Sequence, residues 1–107
     1  IYADAYSDAI GALLPVLDNL DRAVGCTDAE ALSGGLSLTL KSFTEALAKL
    51  GVEEIKADGE TFDPNLHNAV MHVDDESAGE GQVVEVFQKG YKKGDKVIRH
   101  AVVNVAN

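Results

Sequence analysis

His67 and His72, followed by Asp74 and Asp75, come nearer than any other residues of this chain to a metal-binding or acid–base constellation. A helical metal pair sets its two histidines at i and i+4, on one face and one turn apart. Here the two stand five apart across an expected turn-to-strand transition, with no further histidine or cysteine nearby to complete a ligand set. His67 therefore reads as a packing residue with one ring nitrogen bonded to backbone. Cys26 is the chain's lone cysteine, without a CxxC partner, and suits a reducing compartment as a tolerated or buried thiol. No serine or threonine sits in a G-x-S-x-G turn or beside a placed histidine. Gly34-Gly35 and Gly79-Glu80-Gly81 fit neither the Walker phosphate loop nor the dinucleotide fingerprint. The chain is thus expected to carry no metal, no cofactor and no catalytic group, so that any nucleotide it influences sits on a partner. A small hydrolase or metal enzyme using His67 and His72 is the competing reading.

Charge offers a different kind of chemistry. Eighteen acids against nine basic residues give a formal net charge of -9, which repels nucleic acid and anionic membrane, and neither is expected as a partner. Yet Lys89, Lys92, Lys93, Lys96 and Arg99 place five of the nine cations in one stretch that holds a single acid, Asp95. Such a cluster suits a negatively charged partner. It suits equally a solubilising hairpin that balances Asp74, Asp75, Glu76 and Glu80.

The elements that carry these residues follow from periodicity. Ile10, Leu13, Leu17, Leu20 and Val24 recur at spacings of three and four, and Leu36, Leu40, Phe43, Leu47 and Leu50 repeat the device, which is the seam of a coiled coil or helical bundle. Gly25 to Ala29 reads as the turn between two helices, with Thr27 or Asp28 as N-cap, and Gly51 as the left-handed stop. Pro15 predicts a break or kink near Gly11 to Pro15, which would make Tyr2 to Ile10 the end of a separate helix. Gly34 and Gly35 imply either a late start of the second helix or a close helix contact. Leu14, Val16, Leu32 and Leu38 widen the stripes beyond what a hairpin can cover. Burial then calls for a second copy, giving a homodimeric four-helix bundle with Leu13, Leu17, Leu20, Leu36, Leu40, Phe43 and Leu47 at the interface; packing onto the chain's own second half is the alternative.

From Val52 the period changes to two. Val52 to Ala57, Ala69 to Val73 and Gln82 to Gln88 read as strands, with a helical turn over Asn65 to Asn68 behind Asp63-Pro64. Asp58-Gly59 and Ala78 to Gly81 read as turns. Gly90 to Asp95 is expected to join Gln82 to Gln88 with Lys96 to Val105 as a hairpin, Gly94 at its tight position. The last strand is apolar on both faces, so it should be central. The fold class is α+β, with a helical dimerisation region over 1–51 and a small all-β domain over 52–107. No apolar run approaches the roughly 20 residues of a membrane span, and Ile1 to Ser7 lacks a signal-peptide profile, so a soluble, unprocessed protein is expected.

Several segments in register are similar to one family. Leu13-Leu14-Pro15-Val16-Leu17-Asp18-Asn19-Leu20-Asp21-Arg22-Ala23, Leu38 to Lys41 and Leu50 to Glu53, Gly59 to Val70, Gln88-Lys89-Gly90-Tyr91 and Ile98 to Ala106 together resemble the GrpE family of chaperone co-factors. That resemblance implies a bacterial, cytoplasmic homodimer with a central four-helix bundle, two β-domains as wings, and a long paired helix of which Tyr2 to Ile10 would be the end. It further implies that a β-domain grips the ATPase domain of a DnaK-type chaperone, holds its outer lobe rotated outward and so speeds ADP release. Lys96 and Val105 align with chaperone-facing positions, Phe87 with an apolar contact, and Arg99 is a further basic candidate. Val102, His100 and Lys93 depart from the family's more usual methionine, proline and apolar residue. A dimeric scaffold of the same fold without exchange activity is the alternative.

Overall fold

The computed structural model describes residues 2–107; Ile1, the first residue of the expected helical region, lies outside them. The chain divides into two compact units, 1–51 and 52–107, with helices in the first and strands in the second, as an α+β chain requires.

In the first unit, α1 runs unbroken over Tyr2–Val24 with Pro15 inside it. The expected break is absent, and Tyr2 to Ile10 belong to the same helix as the leucine stripe. One interior proline costs roughly 3 kcal/mol, but helix propagation is cooperative and the flanking turns carry the segment through. α2 spans Ala29–Lys49, capped by Asp28, whose carboxylate accepts from the backbone N–H of Glu30 and Ala31. Gly51, at φ 81°, takes the left-handed conformation that stops it.

The helices meet through small side chains. Val16 and Ala23 on α1 and Thr39 and Ala46 on α2 are buried. A Cβ on Gly35 would lie 3.6 Å from the Ala23 Cβ, which decides for close helix contact over a late start, while Gly34 faces open space. The Thr39 hydroxyl turns inward to donate to the Gly35 carbonyl at 2.8 Å. The leucine seam is therefore not the contact within the hairpin. It lies one residue further along, rotated by about 100°, and Leu13, Leu17, Leu20, Leu36, Leu40 and Phe43 stay exposed.

The second unit holds β1 (Val52–Glu54), β2 (His67–Val73), β3 (Gln82–Gln88), β4 (Tyr91–Lys93), β5 (Lys96–Arg99) and β6 (Ala101–Ala106). They form two three-stranded sheets, ordered β1-β4-β5 and β2-β6-β3. β6 is central, parallel to β2 and antiparallel to β3. Its Ala101, Val103 and Val105 build the core with Ala57 and Val83, against which Phe62 and Val86 pack.

Two strand expectations change. β1 ends at Glu54, and the next residue, Ile55, is buried and donates its N–H to the Gly90 carbonyl at 2.9 Å. The single strand expected over Lys96 to Val105 is two, in different sheets: β5 pairs with β4, and the chain breaks step at His100 before β6. Gly90 is the cause. A Cβ there would lie 2.7 Å from the His100 carbonyl carbon and 2.8 Å from the Arg99 oxygen, so the backbone of 99–101 presses directly on it. The tight hairpin is β4–β5 with Gly94 at φ 59°, and β3 leaves it for β6. The helical turn before β2 shortens to residues 64–66, since His67 already starts the strand.

Candidate functional site

The five clustered cations sit on or beside the β4–β5 hairpin, and the register of the sheet sorts them. β1 lies antiparallel to β4, so Glu53 stands opposite Lys92 and Glu54 opposite Tyr91. Lys92 pairs with Glu53 at 3.7 Å and Lys89 with Glu54 at 3.3 Å. Surface pairs of this kind contribute up to about 1 kcal/mol each, yet they fix which cations are already neutralised. Arg99 donates from Nε and Nη2 to the Lys89 carbonyl at 3.0 and 2.6 Å, with its guanidinium 5.6 Å from the centre of the Tyr91 ring. Its charge is held in place and stays exposed. Lys93 and Lys96 are direct cross-strand partners, both exposed, and neither has a carboxylate within ion-pair distance among the described residues.

None of the acids expected to balance this hairpin forms an ion pair with it among the described residues, and Asp75 is bound elsewhere. Asp75 accepts from the Ser77 hydroxyl at 2.6 Å and the Ser77 N–H at 2.9 Å, which hold its carboxyl below the usual carboxylate range. Asn107 ties the same loop by donating to the carbonyls of Asp75 and Ala78 at 2.8 and 3.1 Å. The balancing acids are Glu53 and Glu54 instead. Their pairing with alternate basic residues was readable only once β1 was known to lie beside β4.

Of the apolar candidates, Phe87 on β3 is 46 % exposed. Val105 is 7 % exposed and packs in the core, where it also lines a groove with Phe62, Val70 and Met71. Lys96 belongs to the other sheet. The structure thus gathers Lys93, Lys96, Arg99 and Tyr91 on one hairpin and places Phe87 and Val105 on the β2-β6-β3 sheet.

His67 is buried and both its ring nitrogens are engaged. Nδ1 accepts from the Asp63 N–H at 3.0 Å, so Nε2 carries the proton and donates to the Lys56 carbonyl at 2.9 Å. The Phe62 ring lies 5.9 Å away, tilted by 46°. With no lone pair left for a metal, His67 joins two loops and leaves His72 without a partner ligand. No cluster of three His, Cys, Asp or Glu side chains is present among the described residues, and no helix there is long and apolar enough to cross a membrane. Asn104, buried on the central strand with its Oδ1 unpartnered, went unnoticed in the sequence, where nothing sets it apart from its valine neighbours.

This arrangement presents a basic hairpin and an exposed phenyl ring on a small two-sheet unit. Comparison with known proteins gives the family. A sequence model of the family GrpE matches residues 1–107. Among curated relatives, the proteins named "Protein GrpE" of Clostridium acetobutylicum and Clostridium beijerinckii are 57 % and 58 % identical, covering 100 % of this chain and 54 % and 52 % of their own length. The protein of that name from Oceanobacillus iheyensis is 46 % identical over 92 % of this chain and 53 % of its own. The chain therefore spans about half the length of the curated relatives it matches.

Proposed function

We propose that this chain, which belongs to the GrpE family, acts as a co-chaperone in the bacterial cytoplasm that accelerates ADP release from a DnaK-type chaperone. In this reading 52–107 binds the chaperone's ATPase domain and 1–51 makes a homodimer. The carrying observation is the pair Lys93 and Lys96, cations left uncompensated on an otherwise acidic protein. Phe87 supplies an exposed apolar anchor and Arg99 a third charge, whereas Val105 is buried in the core. An apolar anchor combined with cations that steer the approach is how protein interfaces combine affinity with orientation.

The mechanism is a shift of populations. A protein that binds the open conformation of a nucleotide cleft better than the closed one lowers nucleotide affinity by the same coupling free energy, and couplings of this kind amount to about 5–150-fold. No bond is made or broken. The dimer rests on the exposed stripe: Leu40 is 66 % exposed and Leu17 53 % exposed, beside Leu13, Leu20, Leu36, Phe43 and the half-buried Leu47. A second hairpin would cover such a face in a four-helix bundle.

Stopped-flow release of a fluorescent ADP from the cognate chaperone is the test. Acceleration by the wild-type chain, lowered about tenfold by Lys96→Glu, is the expected result. Stable binding with unaltered release would replace exchange by a scaffolding role.

A further inference from the structure

We infer that Lys93 and Lys96 work as one two-point cation that docks on a pair of carboxylates of the partner protein. This deepens the reading above and rests on it.

Residues directly opposite each other across an antiparallel pair bring their Cβ atoms to about 5 Å, and like charges there oppose strand pairing. β4 and β5 do this at their turn end, next to Gly94, where Lys93 faces Lys96. On its other side Lys93 faces Val52, which offers no charge. Glu53 and Glu54, the acids of the neighbouring strand, are taken by Lys92 and Lys89. Asp95, in the turn between the two lysines, forms no ion pair with either. Alternation along β4 puts Lys93 on the same side as Tyr91, and Arg99 lies over that ring. One face of the hairpin thus presents Lys93, Lys96 and Arg99, the last already immobilised on the Lys89 carbonyl, whereas Lys92 turns to the opposite face with Glu53.

The chemistry of the occupant follows. Two ammonium groups at strand spacing suit two carboxylates on a protein surface. The net charge of -9 opposes nucleic acid and anionic lipid, whose extended charge would meet the remaining acidic surface as well. Without its partner the hairpin holds a repulsive pair, so the same residues should weaken the free chain and strengthen the complex.

The experiment measures association of the chain with the chaperone's ATPase domain over a salt series, alongside thermal melting of the chain alone. Lys93→Gln is expected to slow association about three- to tenfold at low salt and flatten its salt dependence, while leaving dissociation nearly unchanged. The same substitution should raise the melting midpoint of the free chain by roughly 1–4 °C. Lys93→Arg, which keeps the charge, should restore the wild-type rate. If the wild type accelerates ADP release but Lys93→Gln alters neither association nor its salt slope, this inference fails and the exchange function stands. If the wild type neither accelerates ADP release nor associates with the ATPase domain, the function fails and the inference falls with it.

Discussion

The two units handle apolar surface in opposite ways. In 52–107 a short-chain core of Ala57, Val83, Ala101, Val103 and Val105 is closed off within the unit, and Val83, Ala101 and Val103 have no solvent exposure. Among the described residues of 1–51, Val16, Ala23 and Ala46 are the only apolar ones buried, and most of the large side chains lie outside. Roughly 1.5–3 kcal/mol is available for each large apolar side chain that passes from water into a packed interior. The β-unit has realised that gain by itself, and the helical unit keeps most of it in reserve for whatever covers its stripe. A self-contained β-unit and a helical unit with unmet apolar surface fit the proposed division, in which one part assembles and the other binds.

The sharpest way to break this contrast is at Gly90. An added Cβ meets backbone that has nowhere to move, so Gly90→Ala should destabilise the β-unit by about 3 kcal/mol or more, at the upper end for single substitutions. Denaturant unfolding of residues 52–107, followed by amide exchange, should show the loss there and leave α1 and α2 protected. Next in size comes the leucine stripe. Leu40→Ala removes a side chain that the isolated hairpin hardly buries, so the hairpin should keep its helicity while the dimer weakens by about 2 kcal/mol per substituted side chain. Sedimentation over a concentration series reads this directly, and an unchanged dissociation constant removes the stripe from the interface. The smallest effect belongs to Gly34, which faces open space within α2. Gly34→Ala should stabilise the chain by up to about 1 kcal/mol through helix propensity alone; a loss instead would mean that a second copy packs closely against this face.

How far the sequence could be read depended on how local the cause was. The Asp28 cap, the Gly51 stop and the limits of β3 follow from neighbours a few residues away, and all are where periodicity and capping chemistry put them. Pro15 does not break α1, because its local penalty is smaller than the cooperativity of the helix around it. Close contact was one of two readings of Gly34 and Gly35, and its partner Ala23 stayed hidden because the leucine pattern dominates any apolar moment. The step at His100 could not be seen at all, since it is imposed by Gly90 from another part of the chain. At the site, composition alone exposed the basic cluster. Which cations remain uncommitted depends on the β1–β4 and β4–β5 registers, and so became visible only with the fold. Val105 was legible as apolar, and its place in the core came from the parallel pairing of β6 with β2.

That parallel pairing has a temporal side. His67 finds its neighbour only when Ala101 has been made, and β3 waits for the same strand, so neither can close its ladder while the ribosome is still upstream of β6. The helical hairpin, whose contacts are near in sequence, can form long before then. During synthesis the exposed leucine stripe is thus on offer before the β-unit can close, and if the proposed dimer forms, neighbouring nascent chains on one messenger could pair through it.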